Sequence, residues 1–228
     1  MYRCSNMVGH FQEFEDEYLE TMYEFHEREP LGLVRTGDLA SRLGVSPASA
    51  TEMVQRLAAR GLLEYLPYKG TRLTLEGLEH GRKMKRRHRL AEVLLDVLPY
   101  DGDAHETACR LEHAIDDDME VALSRLVSMD ALDPSGKPIP PPTDDIAQRL
   151  AEGSRYVTAS LLNPDEKGAI SAILLPHEIQ VELAQVGVGI GAIVLRDQQR
   201  LIVHGGGSVM VSDEWMKAIF LKPLNKIA

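Results

Sequence analysis

Four residues in one short stretch, His105, Cys109, Glu112 and His113, are each of a type that binds divalent transition metals. They offer imidazole, thiolate, carboxylate and imidazole at i, i+4, i+7 and i+8, so on a helix they share one face. Any one alone would read as an ordinary core or surface residue. Together on one stripe they point to a metal site. Upstream, His88 and Glu92 stand at i, i+4. By itself that is a common helix-surface pair, but a helix hairpin would bring it beside His105 and make a neighbouring three-ligand site. Glu17 and Glu20, and Glu20 the more weakly, can add hard oxygen donors from a third element. One sulfur among nitrogens and oxygens is unlike structural zinc, which favours several thiolates at short spacing. The mixture suits manganese or iron.

These side chains need a helical framework. Phe14, Tyr18, Met22 and Phe25 predict a helix over 11–29, ended by Pro30. A short helix from Thr36 to Leu43 stops at Gly44, and Ser46-Pro47 opens the next as N-cap and first-turn proline. Two short helices so joined form a helix-turn-helix. Leu62–Leu66, the turn Pro67-Tyr68-Lys69-Gly70 and Thr71–Leu75 read as a β-hairpin, which after a helix-turn-helix is a wing. Long helices are expected from about Glu76 to Leu98 and from about His105 to Val127. Residues 130–145 hold most of the prolines and read as a linker. Val157–Leu162, Ala169–Leu174, Ala192–Leu195, Leu201–Val203 and Val209–Val211 then predict strands of a small β-barrel-like domain.

The bulk numbers agree. With 228 residues, 44% hydrophobic and 26% charged, the chain can fold as two or three small domains. No apolar run approaches the roughly 18 residues a membrane helix needs. Early acids and no basic leader region do not read as a signal peptide, and two cysteines, Cys4 and Cys109, suggest a reducing compartment, so a cytoplasmic location is expected. A net charge of −10 argues against indiscriminate coating of nucleic acid, yet leaves room for one basic face. Acids crowd 13–29 and 101–120, and bases crowd 82–89.

In a winged helix, the N-terminal residues of the recognition helix reach the bases. Here they are Ser46, Pro47, Ala48, Ser49, Thr51, Glu52 and Gln55, small and polar, with no Arg or Asn for bidentate readout. Modest direct readout is expected, helped by water and DNA shape. Phosphate contacts would come from Arg35, Arg42, Arg56, Arg60, Lys69 and Arg72. The run Arg82, Lys83, Lys85, Arg86, Arg87, Arg89 reads either as a solvated helix face or as part of the DNA side.

The segments Arg87-His88-Arg89-Leu90-Ala91-Glu92, His105–His113 and Ser135-Gly136-Lys137-Pro138-Ile139-Pro140 resemble the diphtheria-toxin-repressor (DtxR/MntR) family of metal-dependent regulators, over nearly the whole length. The resemblance implies a mainly α N-terminal two-thirds, with a winged helix-turn-helix over 1–76 and a helical metal-binding and dimerisation domain over 77–129. A Pro-rich linker over 130–152 and a FeoA-like β domain over 153–228 would follow. It implies an activating metal site of Cys109, Glu112 and His113 completed by Glu17, and an ancillary site of His88, Glu92 and His105, to which Glu178 or Gln180 adds a ligand. Two ions per subunit, Mn(II) or Fe(II), would then activate a homodimer to bind a palindromic operator and repress metal-homeostasis genes, with no membrane or small organic substrate involved. Iron-sensing members carry methionine where this chain has Glu17, while Cys109 and the ancillary set look like the iron type. The carboxylate tips the expectation slightly to manganese. The alternatives are a winged-helix regulator with a purely structural metal and, less favoured without HExxH, GxSxG or a phosphate loop, a metal-dependent hydrolase.

Overall fold

The computed structural model describes residues 11–98, 100–127, 132–164 and 166–224; Cys4 and residues 128–131 of the Pro-rich region lie outside them. The chain divides into two compact units. One comprises the described residues through Asp96 together with Tyr100–Ala151, and the other Val97 and Leu98 with those from Glu152 onward.

The first unit opens with α1 (Phe11–Arg28), α2 (Thr36–Leu43), α3 (Pro47–Ala59), β1 (Leu63–Leu66), β2 (Gly70–Leu73) and α4 (Leu75–Val97). Gly44 takes the left-handed conformation (φ 70°) and returns its N–H to Ala40 O, which stops α2. Ser46 then accepts from the Ser49 N–H and caps α3, with Pro47 in the first turn. β1 and β2 pair antiparallel from Leu63↔Leu73 to Leu66↔Gly70. Tyr18, Leu19 and Met22 of α1 pack with Leu39, Ala50, Val54, Leu57, Leu62 and Leu63. This is a winged helix-turn-helix, as the turn chemistry predicts.

The basic run of α4 is not a solvated face. Lys85, Arg86 and Arg89 are buried. Lys85 donates to Glu20 (3.0 Å) and Glu24 (2.5 Å) of α1, and Arg89 donates twice to Glu27 and once to Pro138 O. Arg86 donates to Glu120, Ser124 and Pro140 O, while Arg87 reaches Glu120 and Asp117. The two acidic segments and the basic segment are therefore partners, and α4 binds both the first helix and the proline-rich stretch.

The single helix expected over 105–127 is two: α5 (Ala104–Leu111) and α6 (Asp117–Leu126). Asp116 is the reason, because its carboxylate accepts from the Met119 N–H and starts a new helix. Residues 144–151, expected as linker, form α7 (Asp144–Ala151), with two acids in its first turn and Ile146 fully buried. Arg125 donates to Arg149 O, and Arg149 pairs with Asp118, tying α7 to α6.

The second unit contains β3 (Val157–Thr158), β4 (Lys167–Ile173), α8 (His177–Gln185), β5 (Ile193–Asp197), β6 (Arg200–Val203), β7 (Ser208–Met210), α9 (Asp213–Lys217) and β8 (Ile219–Leu224). The sheet is antiparallel in the order β3-β8-β4-β5-β6-β7. It is not closed into the expected barrel: its end strands, two and three residues long, leave it open. Its core is apolar and includes Ile170, Leu183, Val194, Leu201, Met216, Ile219 and Leu221.

Candidate metal centre and DNA-facing surface

His88, on α4, is the hub of the centre. Its Nδ1 lies 2.6 Å from Glu112 Oε2 and 3.7 Å from Glu20 Oε1, and its Nε2 lies 3.3 Å from Glu92 Oε1. Glu92 Oε1 is also 2.9 Å from His105 Nδ1. The two imidazoles meet edge to face with centroids 5.0 Å apart. Two trios offer ligand atoms within 4.8 Å of one another: Glu20, His88 and Glu112, all buried, and His88, His105 and Cys109. His113 stands beside them, with Nε2 3.5 Å from Glu112 Oε1 and Nδ1 3.5 Å from Asp16 Oδ2.

Three helices must come close to assemble this group, and two glycines let them. A Cβ on Gly81 would sit 2.5 Å from Leu19 O, so α1 can lie against α4 only where α4 has no side chain. A Cβ on Gly77 would sit 1.9 Å from Leu62 O, which fixes α4 against the wing. Glu112 is the first residue past α5 and keeps helical angles (φ −55°, ψ −35°), so the ligand stripe runs on beyond the helix end. On α1, Asp16, Glu20, Glu24 and Glu27 form one stripe facing α4, whereas Glu17 is half-buried, about 100° round from Asp16.

The cluster carries more acid than base. Burial opposes charging of His88, but the carboxylates of Glu20, Glu112 and Glu92 outweigh it and push the imidazole up to about 10. Burial and the Glu20 carboxylate raise Glu112 well above the usual range. Burial works against Glu20 too, yet Lys85 and His88 hold it low. Both shifts have one cause, several carboxylates crowded in a medium of low polarity.

Both ring nitrogens of His113 are buried and have no hydrogen-bond partner. A buried imidazole costs free energy in that condition, and a cation ligand role removes the cost. Together with a thiolate, a second imidazole and several carboxylates, this fits a divalent transition ion. The structure thus brings Cys109, Glu112, His88, Glu92 and His105 into one neighbourhood, with His113 at its edge and Glu20 at its heart. Sequence reasoning missed Asp16 and Lys85. The signal for Asp16 was its i, i+4 phase with Glu20. Glu178 and Gln180 lie on α8 of the second unit, where Glu178 is exposed and the Gln180 amide donates to Leu175 O.

On the DNA side, Ser46, Pro47, Ala48, Ser49, Glu52, Gln55 and Arg56 are exposed along one edge of α3. Thr51 is half-buried and its hydroxyl donates to Pro47 O, while the Ser46 and Ser49 hydroxyls bond each other. That leaves Gln55 and Glu52 as the long polar side chains of the tip. Arg35 and Lys69 are exposed. Arg56 and Arg60 both pair with the buried Glu15 of α1, Arg42 with Glu24, and Arg72 with Glu64.

The N-terminal DNA-binding domain model of the iron-dependent repressors matches residues 10–71, and their metal-binding and dimerisation domain model matches residues 74–141. The diphtheria toxin repressor of Corynebacterium glutamicum is 31% identical over 214 residues, covering 89% of this chain and 92% of that protein. The transcriptional regulator MntR of Escherichia coli O157:H7 is 34% identical over 111 residues, covering 48% of this chain and 70% of that protein. Among solved structures, T. acidophilum IdeR matches with a TM-score of 0.50 at 24% identity, over 95% of this chain and 99% of that one, which shows the shared fold.

Proposed function

Because the chain belongs to the iron-dependent (DtxR/MntR) repressor family, we propose that it is a homodimeric repressor whose operator affinity is set by a divalent ion shared between α1 and the α4–α5 helices. The observation that carries this is the meeting of Glu20 of α1, His88 of α4 and Glu112 at the end of α5 in one buried cluster. Cys109, Glu112 and His113 would hold the activating ion with Glu17, and His88, Glu92 and His105 would hold a second. Glu20 borders both. Manganese or iron suits the donor set, with a slight preference for manganese from the carboxylate of Glu17.

An ion supplies positive charge that joins the first helix to the metal-binding helices. The protein's own groups do the rest. Lys85 already ties Glu20 and Glu24 to α4, so α1 starts close to its bound position. Glu15 ties α1 to Arg56 and Arg60 of α3, so the recognition helix follows the first helix. Fixing α1 in both protomers would set the two recognition helices at the spacing of successive major grooves of a palindromic operator. A coupling of about 1–3 kcal/mol gives roughly 5–150-fold tighter operator binding. Neither catalysis nor a membrane belongs to this reading. No helix among the described residues is long and apolar enough to cross one, and we place the protein in the cytoplasm.

The test is a DNA-shift titration at fixed salt on the promoter of the chain's own gene, with Mn(II), Fe(II), Zn(II) and EDTA in parallel. Binding should tighten with Mn(II) or Fe(II) and weaken with EDTA. Affinity unchanged by chelation would leave a structural metal and overturn the switch. His113→Ala should abolish the metal response while leaving the metal-free fold intact.

A further inference from the structure

The four α1 acids that face α4 each have a partner there: Glu27 takes Arg89, Glu24 and Glu20 take Lys85, and Asp16 takes His80. Asp16 differs from the others because its two oxygens address two imidazoles on different elements. Oδ1 lies 2.7 Å from His80 Nε2 on α4, and Oδ2 lies 3.5 Å from His113 Nδ1 just beyond α5. His113 is thus flanked on its two nitrogens by different carboxylates, Asp16 at Nδ1 and Glu112 at Nε2, each at 3.5 Å. One ring cannot aim both nitrogens at a single ion, since they diverge. The Nε2 side lies toward Glu112, a member of the ligand cluster, and the Nδ1 side toward Asp16 of α1. Histidines that bind metals almost always donate their other N–H to a carboxylate or carbonyl, which fixes the tautomer and the ring direction.

We propose that Asp16, held in place by His80, is the outer acceptor that locks His113 as the Nδ1–H tautomer with Nε2 aimed at the metal. His80 and Asp16 are positioning residues, not ligands. The relay runs His80–Asp16–His113 and so crosses α4, α1 and the α5–α6 turn. Beside the ion pairs of Lys85 and Arg89, it gives the first helix a further tie, this one to the α5–α6 turn. The His113 nitrogens, buried and without a hydrogen bond, find their two partners in this arrangement: Asp16 for Nδ1 and the ion for Nε2.

This inference rests on the metal-binding reading above, and the experiment separates the two. Mn(II) affinity is measured by titration of the full chain as wild type and as Asp16→Ala, Asp16→Asn, His80→Leu and His80→Gln. Metal-free circular dichroism and melting of each variant check the fold. Asp16→Ala should weaken Mn(II) binding about 10–100-fold. His80→Leu should weaken it less, and His80→Gln, which keeps a side-chain N–H donor to Asp16, should restore most of the loss. The readout that a merely structural role would not move is the His113 tautomer, read by 15N NMR of histidine-labelled, Zn(II)-loaded wild type. The expected spectrum has protonated Nδ1 and metal-bound Nε2, and it needs no variant to fold. Metal bound through Nδ1, or Asp16→Ala binding Mn(II) as tightly as wild type, would overturn the relay and leave the metal site standing. A wild-type chain that takes up no Mn(II), Fe(II) or Zn(II) would remove both.

Discussion

Among the described residues the fully buried side chains of the second unit are Ala159, Leu162, Val188, Val194, Leu201, Met216, Ile219 and Leu221, whereas in the first they include Arg89, Glu120 and Thr71. Every buried charged residue among those described lies in the first unit: Glu15, Asp16, Glu20, Glu24, Lys85, Arg86, His88, Arg89, Glu112, Glu120 and Asp133. The contrast is chemical. An apolar core gains from excluding water and is indifferent to ions and pH. A core of paired charges gains little net stability, because desolvation offsets attraction, but it responds to anything that alters charge. The first unit has given up some robustness for sensitivity, and three of these buried charged residues, Glu20, His88 and Glu112, form the heart of the candidate metal centre.

The chain's one tryptophan, Trp215, sits in the second unit, so its fluorescence follows that unit while far-UV circular dichroism is weighted to the helices of the first. The largest effect should come from Arg89→Met. It strands Glu27 and the buried Asp133 and should cost about 3–5 kcal/mol in urea unfolding followed by circular dichroism. If the Trp215 transition shifts equally, the two cores are not separate. The reciprocal change, Leu201→Ala, should cost about 3 kcal/mol on the fluorescence transition and leave Mn(II) affinity as it was. Loss of metal binding there would break the comparison from the other side. Mn(II) at a hundredfold excess over its Kd should add about 2.7 kcal/mol to the first unit alone.

The smallest effect is one of pH. Burial resists charging of Glu24, but Lys85 and Arg42 more than compensate and hold its carboxyl at about 2, below the ordinary 4.5. A depressed carboxylate contributes stability that is present above pH 4.5 and lost as pH falls from there through about 2. Acid titration of the metal-free chain should therefore remove on the order of 2 kcal/mol from the first unit over that window. Glu24→Gln should flatten the loss, while the second unit keeps its fluorescence transition. An unchanged acid profile in Glu24→Gln would assign the stability to other carboxylates.

How far the sequence showed this in advance depended on whether the signal was local. Gly44, Ser46-Pro47 and the Pro67–Gly70 turn are local backbone chemistry, and the helix-turn-helix and wing could be read from them. His88, Glu92 and His105 could be joined because an i, i+4 pair and a hairpin suffice. The break at Asp116 was hidden among Asp116, Asp117 and Asp118, where a capping carboxylate looks the same as a solvated one. The fate of Lys85, Arg86 and Arg89 was hidden because charge on a helix gives no hint of burial until its partners are placed 34–65 residues away. β8 was missed because Pro223 argues against a strand, yet it pairs with Gly168 in the interior of the sheet. Asp16 was not singled out, since only the packing of α1 on α4 brings it against His80 and His113.

The approach of Leu19 O to Gly81 gives the first unit a fulcrum. At that point α1 and α4 touch backbone to backbone, with no side chain between them to compress. Asp16 and His80 pull on one arm of α1, and Lys85, His88 and Arg89 pull on the other through Glu20, Glu24 and Glu27. Glu92 lies eleven residues beyond the fulcrum along α4, about 16 Å at helical rise. Its carboxylate bonds His88 and His105, and His88 in turn lies 3.7 Å from Glu20 of α1, so a change in charge at that end is passed to α1 through His88. On the short arm Glu15 grips Arg56 and Arg60, and Tyr18, Leu19 and Met22 share a core with α3, so the recognition helix is tied to α1 on both sides of the fulcrum.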